Sequence, residues 1–268
     1  MNHLLASALA VILAAPLSAH EFWIDPVETQ VESGGTVAAD IRVGEKFKGA
    51  AYAYLPPNFE RFDLVVGDQI VPVEGRAGDR PALQMEAPAD GLVVVVHQTR
   101  AYDLTYDSFD KFRGFLEHKD ALWALDRVEP LGLDPEKVKE VYTRFGKSLI
   151  AVGDGAGSDR EVGLLTEIVA EANPYTDDLA DGLPVQVLFE GAPRTDAQVE
   201  LWARASDGSV TVEKYRTDGE GRVTLPMAPG TDYLVDAVVF REVTPETPDA
   251  AHFESLWASL TFTTPDAR

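Results

Sequence analysis

The sequence predicts a mainly β protein of two β-sandwich domains, with a helical hairpin inserted late in the first. Three observations carry this prediction. Short runs of β-branched and aromatic residues recur between glycine-containing turns, the pattern of antiparallel sandwiches. The run Leu92–Val96 is apolar on both faces, as a central strand must be. Helical periodicity is confined to one stretch, from about residue 108 to 150.

The chain opens with an apolar run, Leu4–Leu17, followed by the small residues Ser18 and Ala19 and the polar pair His20-Glu21. The run is too short to span a bilayer comfortably, and its pattern is that of a cleaved secretory signal peptide, residues 1–19. The segment before it has no Lys or Arg, and Leu17 is larger than is usual three residues before a cut. Export to the periplasm is expected, with no transmembrane segment in the mature chain. Cleavage after Ala19 leaves His20 with a free α-amine, whose pKa near 8 lets it lose a proton and join the imidazole in chelating a metal.

The first domain, residues 20–173, should contain strands at Val27–Val31, Thr36–Val43, Phe62–Val66, Gln69–Val73, Ala82–Met85 and Leu92–Gln98. From Ser108, the residues Phe109, Phe112, Phe115, Leu116, Leu122, Trp123 and Leu125 recur at helical steps. After a break at Glu129-Pro130, Asp134 reads as an N-cap with Pro135 at the first helical position. A second helix is therefore expected through Val138, Val141, Tyr142, Phe145 and Leu149. A strand at Leu164–Val169 closes the domain, and the turn-rich acidic segment Asn173–Gly182 marks its end.

The second domain, residues 174–268, is again β. Strands are expected at Val185–Phe189, Ala197–Ala203, Val210–Tyr215, Arg222–Leu225, Tyr233–Phe240 and Ser255–Phe262. Its phrase of strand, Gly-Ala-Pro turn, Thr217-Asp218-Gly219-Glu220-Gly221-Arg222 and strand resembles carboxypeptidase-regulatory or transthyretin-like modules. These share the immunoglobulin-like sandwich architecture, and the resemblance implies binding or support more than catalysis.

Charge narrows the partners. With 45 acidic and 23 basic residues the net charge is −22, and none of it falls in residues 1–19. Such a surface excludes nucleic acid as a general partner and disfavours an anionic membrane, while it attracts cations. The chain has no cysteine, so disulfides and thiolate sites are excluded, and a transition-metal site must use histidines and carboxylates. Of the five histidines, His3 leaves with the signal peptide. His20 is the leading metal ligand, because Phe22, Trp23 and Ile24 should pin it against the sandwich. His252, just before the closing strand, and His97, at the end of the buried strand, are the further candidates. His118, between charged neighbours in the first helix, reads as a surface residue. No phosphate-binding glycine loop and no nucleophile elbow is present.

In order along the chain stand Ala19-His20-Glu21-Phe22-Trp23, Ile41-Arg42-Val43-Gly44, Tyr142-Thr143-Arg144-Phe145-Gly146-Lys147-Ser148-Leu149, Glu167-Ile168-Val169 with Asn173-Pro174-Tyr175, and Leu256-Trp257-Ala258-Ser259-Leu260-Thr261-Phe262. This ordered set resembles domain-of-unknown-function family 4198, exported bacterial proteins often labelled as periplasmic components of cobalt/nickel uptake. The resemblance implies a metal site at the mature N-terminal histidine, His20. It also implies an acidic residue near position 252, from which His252 departs. Arg144 and Lys147 match the family's motif and are expected to pair with acids.

The resulting expectation is a periplasmic binder of nickel, cobalt or copper that serves an inner-membrane uptake permease and is not an enzyme. Two alternatives stand beside it. One is a copper redox enzyme with a histidine brace built on His20. The other is a non-catalytic envelope or adhesion module, with Trp202, Tyr215 and Tyr233 as stacking residues.

Overall fold

The computed structural model describes residues 20–247 and 249–266, so the expected signal peptide lies outside the described residues. The β-rich runs become β1 (Glu21–Pro26), β2 (Gln30–Val31), β3 (Thr36–Glu45), β4 (Lys48–Tyr52), β5 (Phe59–Val66), β6 (Gln69–Pro72), β7 (Leu83–Glu86), β8 (Gly91–Thr99) and β9 (Tyr102–Thr105). Helices α1 (Phe109–His118) and α2 (Leu125–Val128) follow. The remainder is β10 (Lys139–Val152), β11 (Thr166–Ala170), β12 (Leu183–Phe189), β13 (Ala192–Pro193), β14 (Gln198–Arg204), β15 (Val210–Arg216), β16 (Arg222–Leu225), β17 (Asp232–Glu242) and β18 (Phe253–Thr263).

These strands form three sheets. A ten-stranded sheet runs β15-β14-β17-β18-β10-β8-β5-β6, with β2 and β9 also paired to β10. A four-stranded sheet of β1, β3, β4 and β7 packs on it, as does a second of β11, β12, β13 and β16. The period of two along β8 explains this arrangement. Val93 and Val95 point into the core shared with Phe22, Ile24, Val37 and Ile41. Val94 and Val96 point into the core shared with Ile168, Val185, Val187 and Leu260. A strand buried on both faces must read as continuous apolar sequence, which is why Leu92–Val96 was legible.

The large sheet joins the two halves of the chain. Strand β18 runs parallel to β10, from Glu140 opposite Phe253 to Ser148 opposite Thr261. Gly146 of β10 lets β1 approach closely, since a Cβ there would stand 2.7 Å from the Phe22 ring.

Helix α1 forms where periodicity placed it. The Ser108 hydroxyl accepts from Lys111 N at 3.3 Å, and Phe112, Phe115 and Leu116 are buried. Together with Ala121, Ala124 and Val128 they cover Val238, Phe253 and Trp257 of the large sheet.

The expected second helix is corrected. Asp134 does cap a turn, accepting from Glu136 N, but the turn is a single 3-10 turn, Pro135–Lys137. Residues Lys139–Val152 are strand β10, so the helical insertion ends before residue 139. The apolar residues of this segment miss strand alternation because Glu140 and Lys147 occupy buried positions. Lys147 Nζ is held by Asp159 at 2.7 Å and Glu167 at 3.0 Å. Glu140 accepts from the Tyr106 hydroxyl at 2.7 Å and the Ser255 hydroxyl at 2.5 Å. Removing two charged residues from an inward pattern leaves a spacing that imitates a helix.

Candidate metal centre

Strand β1 brings its first residues into two different environments. Phe22 faces the core beside His97, with ring centroids 5.4 Å apart. Glu21, one residue earlier, turns to the opposite side and is 1% exposed. There it meets a charged cluster assembled from distant parts of the chain.

The cluster is centred on Lys119, the residue that caps α1. Its ammonium lies 2.8 Å from Glu200 Oε2, 2.8 Å from Asp236 Oδ2 and 3.6 Å from Glu21 Oε1. It also stands 4.8 Å from the Trp257 ring centre. Glu200 of β14 and Asp236 of β17 are direct cross-strand partners, so the sheet itself sets their carboxylates side by side. His118 ends α1 and places Nε2 3.1 Å from Glu200 Oε1. Lys214 Nζ stands 3.5 Å from the same oxygen at the rim.

One donor set stands out. Glu21, His118 and Glu200 each offer one ligand atom, and these atoms lie within 4.8 Å of one another. Ligand atoms on one ion stand at most about 4.2 Å apart at bonds of about 2.1 Å, so closure asks only for small side-chain rotations. Neither Glu21 oxygen has a hydrogen-bond donor among the described residues, although both are buried. A buried carboxylate without donors is favoured by a proton or a nearby cation, and Lys119 is the cation that faces it.

The protonation states follow from this crowding. Burial, against the pull of Lys119, pushes Glu21 up to about 8. Burial likewise raises Asp236 above the usual carboxylate range. Burial opposes the Glu200 charge too, but the hydrogen bond from His118 and the Lys119 ammonium prevail and hold it down at about 2. Burial works against the Lys119 ammonium, yet the three carboxylates hold its pKa above the usual lysine range. Three carboxylates face the Lys119 ammonium, with Lys214 at the rim, and a proton on Glu21 reduces the remaining negative charge.

A cavity of about 290 Å3 opens beside this cluster, lined by His20, Tyr106, Phe115, Glu140, Tyr142, Arg144 and Trp257 among others. A second, of about 240 Å3, is lined by Phe22, Tyr52, Phe59, His97, Tyr102, Tyr142 and Arg144 among others.

The family described as a domain of unknown function, DUF4198, matches residues 17–240. The chain belongs to that family. No curated protein matches the chain. Among solved structures it is similar to the D0-D1 domain of intimin, at 15% identity over 91% of this chain and 98% of that one, with a TM-score of 0.23. A tetra-tandem repeat in the extending region of a large adhesion protein is similar at 10% identity, over 91% of this chain and 49% of that one, with a TM-score of 0.19. Similarities at these scores carry no argument about function.

Within this DUF4198 chain the three histidines expected as ligands stand in different surroundings. His20 is exposed at the first cavity, where Arg144 reaches its carbonyl oxygen at 3.5 Å. His97 is buried in the second cavity among Phe22, Phe59 and Phe62, its Nδ1 without a partner. Burial pushes it down to about 3, so it is neutral. His252 lies at the turn between β17 and β18, where its carbonyl accepts from Val243 N, and it lines neither cavity.

His118, read from sequence as a surface residue, is instead bound to a buried carboxylate. Glu21, Glu200 and Asp236 carried no individual signal among so many acids. A usable sign did exist for Asp236, whose same-face neighbours Leu234 and Val238 are both apolar. An acid inside an apolar strand implies a buried counter-charge. The expectation that Arg144 and Lys147 pair with acids divides: Lys147 does, whereas Arg144 makes no salt bridge among the described residues.

Proposed function

We propose that this protein is an exported, periplasmic binder of a divalent transition-metal ion, and that Glu21, His118 and Glu200 hold the ion. The observation that carries the reading is Glu21, whose buried carboxylate lacks a donor and stands with an imidazole and a second carboxylate. Two carboxylates and one imidazole suit nickel, cobalt or copper. His20 precedes Glu21 directly, so the segment freed by signal cleavage would reach both the cavity and the cluster. A non-catalytic carrier that passes its ion to an inner-membrane uptake permease fits this arrangement.

Calorimetric titration with nickel tests the proposal. The chain beginning at His20 is compared with the same chain carrying one extra N-terminal residue and with the variants Glu21→Gln and His118→Ala; His97→Ala and His252→Ala are titrated alongside. Loss of binding in both variants with retention in the extended form supports the internal site. Loss only in the extended form moves the metal to the His20 α-amine. Loss only in His97→Ala or His252→Ala moves it to those histidines. Binding no stronger than to an equally acidic unrelated protein overturns the metal reading. Titrations in buffers of different ionisation enthalpy should show about one proton released per ion near neutral pH, because the metal replaces the Glu21 proton.

A further inference from the structure

We propose that the cleft on either side of Arg144 binds a small aromatic carboxylate, with its anionic group on the guanidinium and its ring against the aromatic walls. The two cavities share Tyr142 and Arg144, so the guanidinium stands where they meet. Each is close to the lower end of the sizes that small-molecule sites occupy.

Arg144 stands out among the cations without a salt bridge because it lies between two cavities. In a chain with nearly twice as many acids as bases, it has no ion-pair partner among the described residues. Its Nε is buried without an acceptor. Among the described residues its one side-chain hydrogen bond is the long approach to the His20 carbonyl, at 3.5 Å. The guanidinium instead lies over the Tyr142 ring at 4.8 Å and near the Phe22 ring at 5.9 Å. Burial pushes its pKa below the usual arginine range, which reflects a positive charge short of compensation.

The nearby acids are otherwise engaged. Glu140 lines the first cavity, but its oxygens accept from the Tyr106 and Ser255 hydroxyls. Asp236 belongs to the Lys119 cluster. A planar guanidinium with free donors matches a carboxylate in a bidentate fork.

The walls select the rest of the ligand. Phe115, Tyr142 and Trp257 line one side, and Phe22, Phe59 and Tyr102 the other. Tyr102 stacks on Tyr142 with ring centroids 5.5 Å apart, which stiffens the shared wall. Flat apolar surfaces around one buried cation favour an aromatic body over a bare inorganic anion. His97, kept neutral by its aromatic surroundings, adds an unused ring nitrogen to the second cavity.

The test uses 3-phenylpropionate and metal-free protein beginning at His20, so that it stands or falls apart from the metal reading. Calorimetry gives the affinity, and the indole N–H resonance of Trp257 locates the ligand. Saturable binding is expected, with 3-phenylpropanamide and acetate each at least about tenfold weaker. Arg144→Gln should weaken 3-phenylpropionate by about tenfold or more. No saturation up to about 10 mM, equal binding of the amide, or unchanged affinity in Arg144→Gln overturns the proposal. Tighter binding of inorganic phosphate than of 3-phenylpropionate overturns the aromatic assignment. Circular dichroism checks the fold of Arg144→Gln. If that variant does not fold, Leu104→Glu replaces it, because Leu104 is an exposed rim residue of the first cavity. Its added negative charge should weaken the carboxylate severalfold, and unchanged affinity overturns the proposal.

Discussion

Replacing Glu21 by Gln should alter how stability depends on pH, in a direction fixed by the cluster. In the folded protein, burial raises this carboxyl from 4.5 to about 8. In the unfolded chain it ionises at its ordinary value. Between these two values the unfolded chain has lost the proton and the folded chain keeps it. Rising pH therefore favours unfolding by about 1.4 kcal/mol per unit. Integrated from pH 5 to pH 8, the penalty on the wild type is about 3–4 kcal/mol. Glu21 is almost wholly buried, so solvent does not screen this term. Gln has the shape of the protonated acid and does not titrate. The variant should match the wild type near pH 5 and exceed it by about 3–4 kcal/mol near pH 8. Urea unfolding of both proteins at several pH values gives the difference, from which titrating groups outside the cluster cancel. A difference that stays constant within about 1 kcal/mol would refute the reasoning. With saturating nickel, the wild type alone should gain stability, because only it keeps the Glu21 carboxylate that the proposed site needs.

Other substitutions test separate parts of the molecule. His97 is pushed down to about 3 by burial, so its contribution is intact above about pH 6.5 and is lost as pH falls below it. His97→Gln should remove about 1.4 kcal/mol per unit of acid sensitivity between about pH 6.5 and pH 4, measured by the same unfolding series. Lys147→Met leaves Asp159 and Glu167 buried without their cation and should cost about 3–5 kcal/mol in guanidinium unfolding. Gly146→Ala forces a methyl against the Phe22 ring. It should cost about 1–3 kcal/mol and speed amide exchange along β1, whereas an unchanged melting curve would mean that β1 yields freely.

The elements most directly legible in the sequence are those carried by dense runs of apolar residues. Strand β8 reads directly from Leu92–Val96, β18 from Ser255–Phe262, and α1 from Phe112, Phe115 and Leu116. Strand β10 was misread because two of its buried residues are charged. Their partners, Asp159 and Glu167 for Lys147 and Tyr106 and Ser255 for Glu140, lie on other elements. The charged cluster around Lys119 was hidden because its members are far apart in sequence. Lys119 finds Glu200 and Asp236 only after the chain has returned 81 and 117 residues later. Local spacing carries no record of such pairings. His118 was read from its neighbours Glu117, Lys119 and Asp120, and Lys119 turns inward to meet those carboxylates.

The parallel pairing of β10 with β18 sets a schedule for the nascent chain. The middle strand of the largest sheet cannot be flanked on that side until the closing strand has left the ribosome, more than a hundred residues later. During that interval the edge of β10 from Glu140 to Ser148 is bare, and Glu140 still lacks its partner Ser255. Such an edge can template pairing with another copy. Completion of the large sheet therefore waits on residues 253–263. A stop codon shortly before residue 253 would remove one strand in sequence terms, yet would leave the largest sheet split along its middle.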